Sequence, residues 1–267
     1  MEMRPLGSTG LVVSVIGLGT VKLGRDQGVR YPGGARIPSD DEARELIHAA
    51  ADLGITLIDT APAYGTSEAR LGALLAGQRD RWTIVTKVGE EFEGGVSRFD
   101  FSAAAVRASV ERSLARLRTD RVECVLIHSD GVIENAPAID DTIDELERLK
   151  ARGLVQYFGA STKTVSGGLR SLDRCDVVMV TLNLAAKDDL SVIAEARKRS
   201  KGVFIKKALA SGHAAVGGAG AGTAGLGLDP VGASLRFALN TPGVSSVIVG
   251  TSSPTHLAEN CRVVGGV

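Results

Sequence analysis

The strongest constraint on this sequence is a rhythm. Eight times along the chain a short Val/Ile-rich run is followed by a helix-patterned segment. The runs are 15–19, 56–60, 83–87, 122–128, 157–161, 177–182, 203–208 and 244–250. The first long helix is predicted to start after Ser39, with Asp40, Asp41 and Glu42 in its first turn, where the helix dipole favours acids. Its apolar positions Ala43, Leu46, Ile47, Ala50 and Leu53 recur at 3–4 spacing, and Gly54 stops it. The strand-like runs carry few polar interruptions, as parallel strands buried on both faces do. Eight strand–helix units in 267 residues predict an α/β fold, a (β/α)8 TIM barrel, as one domain over 1–267. The rival is a doubly wound open sheet. Its G-x-G-x-x-G turn between strand and helix is missing: the glycines within 15–24 follow a strand but open no helix.

Composition narrows function by exclusion. Lys+Arg and Asp+Glu are both 31, so a nucleic-acid binder with a basic excess is not expected. Balanced charge also argues against a polybasic membrane anchor. No apolar run approaches the ~18 residues of a membrane helix, and the N-terminus has no signal-peptide pattern. Cys124, Cys175 and Cys261 form neither a disulfide framework nor a zinc ligand set and read as small apolar packers. A cytoplasmic protein with no metal site is the expectation. The 33 glycines include a low-complexity stretch at 212–228, read as a surface loop or a flap over a ligand.

In a barrel the chemistry lies at the carboxyl ends of the strands. Strand two ends in Leu57-Ile58-Asp59, strand three in Val85-Thr86-Lys87 and strand four in Leu126-Ile127-His128. Side chains alternate along a strand, so Leu57 and Asp59 share a face, as do Val85 and Lys87, and Leu126 and His128. An acid, an ammonium and an imidazole then converge above the core, and Tyr64 can reach back over them from five residues past Asp59. A phenol with an ordinary pKa near 10 is a poor acid at neutral pH, and a neighbouring ammonium corrects that by stabilising phenolate. Asp59 would hold Lys87 in place, Tyr64 would be a general acid toward a carbonyl, and His128 would help hold the oxygen charge or pass a proton. Arg25, Tyr31, Trp82, Phe92 and Phe99 are candidate pocket walls. Glu90-Glu91 and Asp140-Asp141 read as solvated or helix-start charges, and His213 and His48 as unremarkable.

With those residues in view the chain resembles the aldo-keto reductase superfamily along nearly its whole length. The resemblance is carried by RPLGSTGLVVSVIGLGT at 4–20, LIDTAPAYG at 57–65, TKVG at 86–89, IHSDG at 127–131 and VGTSSPTHLAEN at 249–260, in family order. It implies an N-terminal β-hairpin capping the barrel, a nicotinamide cofactor across its top, and Asp59, Tyr64, Lys87 and His128 as the catalytic tetrad. It also implies cofactor contacts at Gly19 and Thr20, at Asp59, and at Ser161 and Thr162, where many members carry Ser-Asn. Met179 stands where many members have Gln, with Asn183 the nearest amide. After strand seven the family often stacks an aromatic on the nicotinamide; here the stretch is Ile205-Lys206-Lys207-Ala208-Leu209, and a lysine there would contact pyrophosphate. Gly250, Thr251, Ser252 and His256 match the region that holds a ribose phosphate, and Glu259 and Asn260 the adenine contacts. No Lys or Arg stands there, but hydroxyls and helix-start N–H groups can still bind phosphate. NADP(H) is therefore placed ahead of NAD(H).

The expected activity is NAD(P)H-dependent reduction of a small-molecule aldehyde or ketone by hydride transfer. Two other readings stay open: a cofactor-binding regulatory subunit with little turnover, and a Schiff-base lyase using Lys87, Lys206 or Lys207. Substrate and oligomeric state are not legible.

Overall fold

A computed structural model describes residues 1–28, 36–210 and 229–265. Strands β1 (Met3–Pro5) and β2 (Val12–Ser14) pair antiparallel. Strand β3 (Ile16–Gly19) is followed by a single helical turn, α1 (Val21–Gly24), then α2 (Asp40–Asp52), β4 (Leu57–Asp59), α3 (Ser67–Leu74) and β5 (Thr83–Val88). The antiparallel pair β6 (Glu90–Glu93) and β7 (Val96–Phe99) comes next. Then follow α4 (Ala103–Leu117), β8 (Val122–His128), α5 (Ile139–Ala151), β9 (Val155–Ser161), α6 (Val165–Ser171), β10 (Val177–Thr181), α7 (Leu190–Lys198) and β11 (Gly202–Lys206). The chain closes with α8 (Pro230–Asn240), β12 (Ser246–Gly250) and α9 (Pro254–Val263).

Strands β3, β4, β5, β8, β9, β10, β11 and β12 close into a parallel barrel, in that order around the ring. The predicted alternation is what builds it. Leu57, Val85, Cys124, Leu126, Val177, Met179 and Phe204 point inward and fill the barrel. Their strand neighbours, such as Ile58, Ile84, Val125 and Val178, point outward and pack in the layer beneath the helices. Both faces of each strand are therefore dry, which is why the strands read as near-continuous apolar runs. Leu6 and Val13 of the first hairpin join the interior cluster, so β1–β2 plugs the amino end of the barrel. Arg4 fastens that plug by donating to the carbonyls of Leu239 and Val244.

Helix ends follow their sequence signals. Ser39 caps α2 in a reciprocal pair with Glu42, and the hydroxyls of Ser102, Thr164 and Ser253 cap α4, α6 and α9. The three cysteines are buried and unpaired, and burial pushes each thiol up, Cys175 to about 12 and Cys261 to about 11.

Three expectations are corrected. The glycine-bearing stretch after β3 does open a helix, though only the one turn of α1. Trp82 is no pocket wall: it immediately precedes β5 and is buried in the layer between barrel and helices. The segment after β5 is a β-hairpin, turned tightly by Gly94 and Gly95, both at positive φ. Tyr31, His213 and the 212–228 stretch lie outside the described residues.

Candidate active site

The carboxyl end of the barrel opens into a cleft of about 530 Å³, a size suited to a small-molecule site. Asp59, Tyr64, Lys87 and His128 all line it, on the rungs the alternation predicts. Register explains the meeting. Asp59 pairs with Gly19 on one side and Val85 on the other; Lys87 sits one inward-facing position beyond Val85, beside Leu126; His128 is level with Ser161. Tyr64 arrives on a one-turn 3-10 helix, Pro62–Tyr64. Gly65 ends that turn at φ +62, where an added Cβ would meet the Gly24 carbonyl at 2.2 Å, so α1 and the tyrosine turn are pressed together.

Lys87 is the hub. Its side chain is 1% exposed, and its Nζ lies 2.5 Å from Asp59 Oδ1, 2.8 Å from the Thr60 carbonyl and 3.1 Å from the Tyr64 hydroxyl. The Tyr64 hydroxyl is also 3.4 Å from Asp59 Oδ2. A cation so placed stabilises the phenolate left when Tyr64 gives up its proton. The Tyr64 and His128 rings meet edge to face at 6.2 Å.

Sequence reasoning missed the group behind His128. Glu90, expected to be solvated, is largely buried, and its Oε2 lies 2.8 Å from His128 Nδ1. Its Oε1 accepts from Ser97 at 2.6 Å and faces Arg25 at 3.9 Å. Burial pushes the Glu90 carboxyl up, but His128, Ser97 and Arg25 outweigh it and hold it at about 2. Burial lowers the His128 imidazole, as do Lys87 and Lys206, against the pull of Glu90. Gly89 makes the placement: at φ +98 it turns the chain from Lys87 into the hairpin, and a Cβ there would lie 2.2 Å from the Phe101 ring. Arg25 braces the same corner, donating to the Ala63 carbonyl and stacking on Phe92. Phe99 faces Lys163, which lines the cleft.

Of the remaining expected cofactor positions, Gly19, Ser161, Thr162, Lys206, Lys207, Ala208, Leu209 and Gly250 line the cleft, with Met179 at its floor. Lys206 Nζ donates to Ser161 Oγ at 2.9 Å and to the Thr162 carbonyl at 2.6 Å. Burial first, then Lys207 and Lys87, bring Lys206 down to about 7. Thr20 points away: its hydroxyl donates to the Asp59 carbonyl and accepts from Ser67, locking β3 to β4. Asn183 is likewise committed, bonding the Lys207 carbonyl and the N–H groups of Ala185 and Ala186. Thr251, Ser252, His256, Glu259 and Asn260 follow Gly250 into α9, beside the cleft rather than on its wall. Val21, Lys22, Ser129, Lys163, Thr181, Ile248 and Val249 complete the wall. Among the described residues no group of three or more His, Cys, Asp or Glu could hold a metal.

The cleft suits a nicotinamide dinucleotide on one direct observation. The Thr162 hydroxyl is buried in the wall with no hydrogen-bond partner in the protein, as expected where a ligand amide supplies one.

The model of the Aldo/keto reductase family matches residues 15–213. This chain belongs to that family. A Pseudomonas aeruginosa protein assigned to the aldo-keto reductases superposes with a TM-score of 0.85 at 50% identity, over 98% of this chain and 94% of that one. The holo form of a Bacillus halodurans aldo-keto reductase gives 0.84 at 25% identity, over 100% and 92%. Among relatives, the L-galactose dehydrogenase of Arabidopsis thaliana is 29% identical over 99% of this chain and 88% of its own length. The family assignment makes the chain an oxidoreductase, and its barrel and N-terminal hairpin are those expected from the sequence. No described helix is long and apolar enough to cross a membrane.

Proposed function

We propose that the chain is an NAD(P)H-dependent reductase of small aldehydes or ketones in which Tyr64 is the general acid. The observation that carries this reading is the 3.1 Å approach of the Lys87 ammonium to the Tyr64 hydroxyl, inside a buried ion pair and facing the cleft. A bound reduced nicotinamide supplies the hydride. The protein's part is to hold the carbonyl oxygen near Tyr64, donate the phenolic proton as charge grows there, and keep the phenolate stable beside Lys87. Asp59 fixes Lys87 and keeps it charged despite burial. Ser161 and Thr162 orient the amide end of the cofactor; Lys206 and Lys207 face its phosphates, with Gly19, Ala208, Leu209 and Gly250 giving close backbone approach. The Thr251–His256 start of α9 offers hydroxyl and N–H donors to a ribose phosphate, favouring NADP(H) over NAD(H).

The sugar substrates in the names of two relatives, L-galactose dehydrogenase and D-threo-aldose 1-dehydrogenase, make small hydroxylated carbonyl compounds and their alcohol or lactol forms the first panel to try. Reduced cofactor mixed with each aldehyde should lose its nicotinamide absorbance in step with enzyme concentration. Tight cofactor binding with no loss across the panel would replace this reading with that of a regulatory subunit.

A further inference from the structure

We propose that Lys206 is a covalent capture site for small aldehydes: when the cleft holds no dinucleotide, its amine condenses with the carbonyl carbon to an aldimine. A dinucleotide and the aldimine then exclude each other. Only that exclusion rests on the cofactor reading given above; the capture itself does not.

The surroundings of Lys206 suit an uncharged amine. The residue ends β11, is half-buried and lines the cleft. Its Nζ donates to Ser161 Oγ at 2.9 Å and to the Thr162 carbonyl at 2.6 Å, and both acceptors belong to buried residues. Two donations use both N–H bonds of a neutral amine and leave its lone pair without a partner among the described residues, whereas an ammonium has a third N–H to satisfy. Lys87, the other buried lysine of the cleft, has Asp59 at 2.5 Å; Lys206 has no such carboxylate among the described residues. The charged and titratable groups that face it are Lys207 beside it in the chain, Lys87 on β5, His128 on β8, Glu134 in the loop after β8 and Asp189 just before α7. The two acids are committed elsewhere. Glu134 accepts from the N–H groups of Lys163 and Thr164 and from the Thr164 hydroxyl, and Asp189 accepts from the N–H of Thr181. Burial and the neighbouring cations prevail and bring the amine to about 7. A desolvated lysine beside other cations is a nucleophile at neutral pH.

The step balances without an oxidant or reductant. The amine lone pair forms a bond to the carbonyl carbon, and the carbonyl oxygen leaves as water with the two amine hydrogens. Water reverses the reaction, so capture lasts only while aldehyde is present.

Propanal with cyanoborohydride tests this on the unaltered chain freed of nucleotide, since the hydride fixes each imine as a secondary amine. Peptide mapping by fragmentation separates Lys206 from Lys207. At pH 7 an ordinary lysine is neutral in only about one molecule in 10³, so Lys206 should be labelled roughly 10²-fold faster than the exposed Lys198. The chain's amino terminus, an amine of pKa ~8, also reacts and is read on its own peptide. Labelling of Lys206 should level off above about pH 8, while that of Lys198 keeps rising. A rate at Lys206 within about threefold of that at Lys198 overturns the proposal, and so does label on Lys22 or Lys207 in its place. Dinucleotide at about ten times its Kd should slow capture about tenfold. Capture at full speed beside bound dinucleotide overturns the exclusion. Failure of the dinucleotide to bind overturns the cofactor reading instead, while the peptide map still decides Lys206.

Discussion

Replacing Lys87 by Met tests whether the buried ion pair serves the reaction or only the fold. The substitution keeps an unbranched apolar stem as far as Cε and deletes the charged Nζ. At the observed 3.1 Å, with an effective dielectric of about 20, the ammonium is worth about 5 kcal/mol to a phenolate on Tyr64. Solvent and relaxation will return part of this, so a loss of roughly 10³–10⁴-fold in kcat is expected. Asp59 Oδ2, 3.4 Å from the same hydroxyl, then opposes the phenolate without its counter-charge. The fold also suffers, because an unpaired carboxylate is left buried, at a cost of about 3–5 kcal/mol. In a domain of this size that lowers Tm by roughly 6–20 °C. The double variant Asp59→Asn/Lys87→Met removes both charges and should recover most of the stability but none of the turnover. Calorimetry and nicotinamide absorbance on the same samples read the two effects apart. Turnover within about tenfold of the parent in Lys87→Met would refute the electrostatic argument. A double variant no more stable than the single would refute the buried-pair argument.

Other outcomes follow from the same geometry. Lys206 titrates near 7 in the folded chain against its ordinary 10.5 when unfolded, so between those values the unfolded state holds more protons and stability rises with pH. The rise is at most about 1.4 kcal/mol per pH unit, and urea unfolding of Lys206→Met from pH 7 to 10 should show a correspondingly flatter slope. Gly89→Ala forces a Cβ into the Phe101 ring at positive φ and should cost about 2–4 kcal/mol, seen as a lower urea midpoint; an unchanged midpoint would show that the turn can relax. Thr162→Val removes a buried hydroxyl that has no protein partner, so stability should hold or rise while cofactor affinity, read by fluorescence quenching, falls by roughly 2- to 10-fold.

The barrel was legible because each strand is buried on both faces and each helix on one, and the two patterns differ in period. The strand-four prediction, 122–128, coincides with Val122–His128, and the others fall within about two residues at most ends. The meeting of Asp59, Lys87 and His128 at the cleft was legible for the same reason: alternation puts all three on inward rungs. Glu90 was not, because its partner lies on another strand and its own hairpin has no buried face to make a pattern. The Gly94-Gly95 pair between EEFE and VSRF was the available signal, a two-residue turn of the kind that closes hairpins. Trp82 misled through its size: a large aromatic near a strand start belongs to the packing layer at the amino end, far from where strands deliver chemistry. Position in the sequence does not show what the structure does, that the Asn183 amide donates to the Lys207 carbonyl and the Thr20 hydroxyl to the Asp59 carbonyl.

Tyr64→Phe is the most direct test of the whole account, because it deletes one oxygen and leaves the ring against His128 and the Lys87–Asp59 pair in place. Reduced cofactor should bind with unchanged affinity, while turnover of any aldehyde, ketone or lactol accepted by the parent should drop by at least ~10²–10⁴-fold. Turnover persisting at the parental rate with that hydroxyl gone would show that another group carries the proton.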